Sequence, residues 1–142
     1  MTAIAHQATC VAIGARAVLI EGAPGSGKSS LALALIDRGA VLIGDDGVLL
    51  EARAGRLVAR PHPNIHGLLE VRNLGLLPFP VRAEAPVALV LALDPQAPRF
   101  VEEAETAQRG GIALPLLRLS PEGPVLHLKA ERALWRYGLT WG

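Results

Sequence analysis

The sequence predicts an α/β domain whose central sheet is buried on both faces. Three observations carry this expectation. Hydrophobic residues make up 51% of the chain but aromatics only 4%, so the core is built from the small aliphatics that fill doubly covered strands. Apolar runs at 17–21, 41–43 and 87–93 are short and show no polar alternation, as in strands covered on both sides. A glycine-rich turn at 22–27 joins the first run to a helical stretch, giving strand, turn and helix in succession.

Each element can be justified in order. Residues 17–21 (AVLIE) form a buried strand that runs into the turn, and 29–38 (SSLALALIDR) form a helix. Gly39 stops that helix, with Arg38 at the end where the helix dipole favours a cation. Residues 41–43 form a second strand, ending at Gly44-Asp45-Asp46. Residues 48–52 and 56–59 flank Arg53-Ala54-Gly55 and read as a hairpin. Residues 61–64 (PHPN) are loop, 68–72 are extended, and 73–75 turn. The strongest strand signal is 87–93 (VALVLAL), closed by Asp94-Pro95. Residues 95–111 are polar and read as a mobile loop, 113–119 and 125–128 as late strands, and 130–137 as a final helix. No linker divides the chain, so one domain is expected over 1–142.

Charge and cysteine content narrow the function. The 14 basic and 13 acidic residues leave a net charge of +1 with no like-charge run, which argues against nucleic acid and anionic membranes as partners. Cys10 is the only cysteine, so no internal disulfide forms and a cytoplasmic location fits. The N-terminus lacks the basic-then-apolar pattern of a signal peptide, and the longest apolar run is far short of a membrane span. The mean hydropathy of +0.35 leaves room for an apolar surface covered by another subunit.

The turn carries the chemistry. Gly22-Ala23-Pro24-Gly25-Ser26-Gly27-Lys28-Ser29 fits G-x-x-x-x-G-K-[ST] at every fixed position. Small residues let successive backbone N–H groups curl inward onto phosphate oxygens, and the following helix, from Ser29 and Ser30 on, adds its free amides and positive dipole end. Lys28 supplies a point charge for the β- and γ-phosphates, and Ser29 a hydroxyl for Mg²⁺. A P-loop also needs an acid near its metal. Asp45 and Asp46 follow one strand, and Asp94 follows the strand at 87–93 in the manner of a generic Walker B acid. Adjacent aspartates on extended backbone diverge, so one would face the γ-phosphate while the other serves the metal or the loop; Asp-Asp-Gly is equally good turn chemistry. Glu70, between apolar neighbours on a short strand, is either aimed into a cleft or an ordinary exposed strand residue.

Three segments together resemble the HPr kinase/phosphorylase family: VLIEGAPGSGKSSLALALIDRG, VLIGDD, and IHGLLEVRNLGLL. The resemblance runs from about residue 3 to 77, with a weaker echo in PLLRLSP near Leu116. It implies a P-loop fold of the HPr kinase and PEP carboxykinase-like type, with a mixed central sheet and flanking helices. It also implies a Mg²⁺- and ATP-dependent serine kinase, with a possible reverse phosphorylase reaction, acting on an HPr-like phosphocarrier. In that resemblance Asp45 matches the catalytic aspartate, Glu70 the second Mg²⁺ ligand beside Ser29, and Arg72 the signature segment. Asp46, the second of the paired aspartates, is the further metal candidate from the residues themselves. His6 lies one position from the family's histidine, shifted by Gln7, and an ordinary surface histidine is the competing reading. Arg99 is the candidate for the family's loop arginine. Asn73 stands where the signature has glycine, and the chain resembles short forms without the extra N-terminal domain. Family members form hexamers.

Two other functions remain open on the residues alone. A small-molecule P-loop kinase would use Asp94 as its metal-side acid. A nucleotide-dependent sensor module would bind without catalysis.

Overall fold

A computed structural model describes residues 2–141. In chain order the strands are β1 (Ile4–His6), β2 (Thr9–Ile13), β3 (Arg16–Gly22), β4 (Val41–Gly44), β5 (Val48–Arg53), β6 (Arg56–Pro61), β7 (Leu68–Val71), β8 (Gly75–Pro78), β9 (Ala85–Leu93), β10 (Glu105–Arg109) and β11 (Ile112–Leu119). Helix α1 (Lys28–Asp37) follows β3 and helix α2 (Leu126–Tyr137) follows β11.

Nine strands form one mixed sheet in the order β1-β5-β6-β9-β3-β2-β4, with β11 also on β9 and β10 beyond it. Strand β9 is where the sheet forks. One edge pairs in parallel with β3, from Ala17↔Val87 to Gly22↔Leu93. The other edge pairs antiparallel with β6 at its start, through Ala59↔Ala85, and parallel with β11 at its end, through Leu119↔Leu93. The remaining strands, β7 and β8, make a separate hairpin.

Side-chain alternation on β3 separates two cores. Val18 and Ile20 pack with Leu31 and Leu35 of α1 and Leu134 of α2. Ala17 and Leu19 pack on the opposite face with Leu50 of β5 and Leu57 of β6. The sheet is therefore covered on both faces, as its aliphatic strands require. Both helices lie on one face; the other is covered by the curled β1-β5-β6 portion.

The sequence expectations need three corrections. Residues 125–128 are not a strand, because the first turn of α2 begins at Leu126. Leu126, Ala130, Ala133, Leu134 and Tyr137 recur at helical spacing on the inner face, a period that four residues alone cannot reveal. The polar stretch 95–111 contains β10, which pairs with β11 around Gly110-Gly111. Both glycines have positive φ, 54° and 81°, as a tight hairpin demands. Its polarity reflects an edge position, with only Ala107 turned into a core. Strands β1, β2 and β8 were not foreseen.

Candidate functional site

Strand β3 delivers the glycine-rich turn to the start of α1. Gly25 and Gly27 hold φ of 78° and 103°, angles that side chains disfavour. Gly27 is the N-cap of α1, and no side chain caps the helix, so its first amides are open to an anion. A Cβ added at Gly22 would meet Ser26 Oγ at 2.5 Å and Leu93 O at 3.2 Å. Lys28 Nζ curls back to donate to the Gly22 and Ala23 carbonyls at 2.9 and 3.2 Å. Ser26 Oγ is buried and has no hydrogen-bond partner among the described residues. An orphaned hydroxyl beside the uncapped first amides of α1, with a lysine close by, fits a phosphate group.

Asp45 stands beside this cradle. It is 8% exposed and takes hydrogen bonds from three different elements. Its Oδ1 accepts from Thr9 Oγ1 at 2.9 Å and from Ser29 Oγ at 2.8 Å; its Oδ2 accepts from the Glu70 amide at 3.0 Å. A carboxylate so held is fixed in position and needs no counterion to be satisfied. Ser29 Oγ retains lone pairs while its proton goes to Asp45, so the donor set fits a hard cation shared with phosphate oxygens.

A cavity of about 690 Å³ opens over these groups, lined by Gly25, Lys28, Asp45, Asp46, Glu70 and Arg72 among others. Strand β7 explains the last two. Leu69 and Val71 pack into the helical core while Leu68, Glu70 and Arg72 alternate toward the cavity. The tip turns at Asn73, whose φ of 74° suits asparagine. Asp46 lines the cavity too, but the backbone does not stay extended there: its φ is 63°, and it is exposed. The two aspartates thus diverge through a left-handed turn rather than through strand alternation. The strand they end, β4, pairs antiparallel with β2 and has a single parallel bridge, Leu42↔Val81, on its other side.

His6, Arg99 and Asp94 are not among the residues lining the cavity. His6 Nε2 lies 2.7 Å from Glu21 Oε2. Glu21 also takes a two-pronged contact from Arg109, Nε to Oε2 at 2.9 Å and a terminal nitrogen to Oε1 at 2.7 Å. Burial pushes the Glu21 carboxyl up, but the hydrogen bonds from Arg109 and His6 outweigh it and hold the pKa at about 2. Arg99 is exposed in the segment after β9. Asp94 accepts from the Gln96 amide at 2.8 Å and lies 3.6 Å from Arg118. Sequence reasoning missed Thr9, Glu21 and Arg109. A hydroxyl opening an apolar strand and a carboxylate closing one were the available signals.

Among the described residues no three His, Cys, Asp or Glu side chains gather into a metal cluster, and no helix is long and apolar enough to cross a membrane.

A strand-to-helix phosphate cradle on a mixed sheet, with a fixed acid beside the loop serine, defines a P-loop phosphate-binding domain. The family described as HPr Serine kinase C-terminal domain matches residues 2–84, more than half of the chain, and the chain belongs to that family. The HPr kinase/phosphorylase of Mycoplasma mycoides subsp. mycoides is 29% identical over 124 residues, covering 82% of this chain and 40% of the relative. That of Chlorobium chlorochromatii is 32% identical over 116 residues, covering 72% and 35%. The solved HPr(Ser) kinase/phosphatase from Coxiella burnetii superposes with a TM-score of 0.83 at 26% identity, covering 93% of this chain and 88% of that one. The chain spans less than half the length of the curated relatives it matches.

Proposed function

We propose that the chain is a Mg²⁺- and ATP-dependent serine kinase whose acceptor is an HPr-like phosphocarrier protein. The observation that carries this reading is Asp45, an acid held by Ser29, Thr9 and the Glu70 amide beside the phosphate cradle. The loop amides and Lys28 would bind and orient the nucleotide phosphates. Ser29 and Glu70, with Asp46 nearby, would hold Mg²⁺, which when bound neutralises charge on the transferred group. Asp45 would accept the proton of the acceptor serine as its oxygen bonds the γ-phosphorus and the bond to ADP breaks. Arg72, just past the end of β7 and lining the same cavity as Glu70, would steady the transferred phosphoryl group. Reversal, with inorganic phosphate attacking phosphoserine and Asp45 returning the proton, is the phosphorylase reaction of the same geometry.

His6 and Arg99 are weaker members of this machinery. Both lie apart from the cavity lining, and His6 is engaged by Glu21. The rival small-molecule kinase reading has less support, because Asp94, its metal-side acid, is not among the residues lining the cavity. The proposal also comprises one domain over the whole chain, a cytoplasmic location and a hexamer. Apolar residues exposed on and beside α2, such as Val125, Leu128 and Trp135, support burial against another subunit.

The test is transfer of label from γ-labelled ATP with Mg²⁺ to purified HPr. Label on a serine is the expected result. Nucleotide binding with no label on any HPr-like carrier would leave the sensor reading in its place.

A further inference from the structure

Glu21 is an unusual neighbour for a phosphate site. It immediately precedes Gly22, so a carboxylate stands at the threshold of a loop built to hold anions. Backbone support for β3 is also one-sided at this point. Pairing with β2 ends at Thr9↔Ile20, whereas pairing with β9 continues through Glu21↔Ala92 and Gly22↔Leu93. On the side without a ladder, two side chains reach Glu21. His6 comes from β1 and Arg109 from the end of β10, and between them they engage both carboxylate oxygens.

The chain leaving His6 reaches Thr9 in three residues, and Thr9 holds Asp45. One short segment therefore connects the Glu21 cluster with the acid of the cavity. Alternation on β3 turns Glu21 toward the face shared by Ala17 and Leu19, away from α1. Arg109 thus does not compete with Lys28 for phosphate; its partner is the carboxylate.

We propose that Arg109 is a positioning residue for nucleotide binding, which neutralises and fixes Glu21 so that the first glycine of the phosphate loop sits in place without a bare negative charge beside it. The inference rests on the P-loop binding nucleotide phosphate, and not on the identity of the acceptor. With Arg109 removed, Glu21 loses the two-pronged guanidinium contact and keeps the His6 contact to Oε2. A carboxylate stripped of its guanidinium one residue before the phosphate loop repels a polyphosphate, and nucleotide binding is expected to weaken roughly tenfold.

The test is calorimetric binding of Mg-ATP to four variants of the whole chain, with circular dichroism to confirm folding. Arg109→Gln is expected to raise Kd roughly tenfold, and by less at high salt, where the repulsion is screened. Arg109→Lys, which keeps the charge, is expected to stay within about threefold of the parent. Glu21→Gln, which keeps an acceptor for both partners but loses the charge, is expected to bind at least as tightly as the parent. The double variant, Glu21→Gln with Arg109→Gln, is expected to recover most of the lost affinity. A purely structural brace predicts the reverse for the last two: Glu21→Gln weaker than the parent, and the double variant no better than Arg109→Gln. Either result overturns the proposal, as does an unchanged Kd in Arg109→Gln. Because the readout is nucleotide binding, failure here leaves transfer to HPr untouched, and failure of that transfer leaves this binding series intact.

Discussion

Replacing Asp45 with asparagine separates the chemistry of the site from its architecture. The side chain is 8% exposed and accepts three hydrogen bonds, so its environment can be followed atom by atom. An asparagine oxygen can keep the Glu70 amide. Its NH₂ then faces the Thr9 and Ser29 hydroxyls, which can rotate to accept. Three charge-assisted bonds become neutral ones, at a cost of about 1 kcal/mol each, partly offset by the easier desolvation of an amide. The net loss is about 1–3 kcal/mol, within the stability of an ordinary domain, so the variant folds. Its melting temperature should fall by roughly 4 °C per kcal/mol lost. Transfer to serine should fall much further, by about 10²–10⁴-fold, because the amide cannot take the proton. Mg-ATP affinity should stay within about threefold, since the loop amides and Lys28 are unchanged. The assay is single-turnover transfer of labelled phosphate to HPr, run beside calorimetric nucleotide binding. Transfer within tenfold of the parent would refute the proton-accepting role. So would a loss of Mg-ATP affinity as large as the loss of rate, which would place Asp45 on the metal side through Ser29.

Three further outcomes follow from the geometry. Gly22→Ala should lower stability by about 1–3 kcal/mol and weaken nucleotide binding, because its Cβ would meet Ser26 Oγ and the Leu93 backbone; thermal melts and Mg-ATP titration check both. Asp94→Asn should leave transfer within about twofold, since its contacts are the Gln96 amide and Arg118, and steady-state kinetics would show it. Acid unfolding should carry a Glu21 signature. Its folded pKa is depressed to about 2, so its stabilisation is complete above the ordinary value of 4.5 and is lost as pH falls toward 2. The pair contributes at most about 3 kcal/mol, and denaturant titrations at successive pH values should lose that dependence in Glu21→Gln.

The parts legible in the sequence were those with local causes. The phosphate loop was visible because its spacing is a backbone requirement, and β9 because seven consecutive aliphatics leave little else to be. The β5–β6 hairpin was visible from Arg53-Ala54-Gly55, where Ala54 and Gly55 both take positive φ. What failed had distant causes. Strand β10 is polar because it lies at an edge, a fact about its neighbours rather than its residues. The first turn of α2 spans too few residues to show a period. The Glu21–Arg109 contact joins residues 88 apart in sequence, and no local pattern announces it. Thr9 reads as one more strand residue until Asp45, 36 positions away, is folded against it.

The fork at β9 has a bearing on how the molecule assembles. Its three neighbours are drawn from residues 17–22, 58–59 and 116–119, so every one of its pairings spans a long loop of chain. Closing such loops costs entropy before any ladder rewards it, and topologies of this kind fold slowly. The phosphate loop, the two aspartates and the β7 residues are all synthesised before β9 begins, yet β9 is the strand that aligns Gly22. A nascent chain therefore carries the loop, the aspartates and Glu70 of its site while lacking the strand that aligns them, and Gly22 gains its ladder partner only when residue 93 stands beside it.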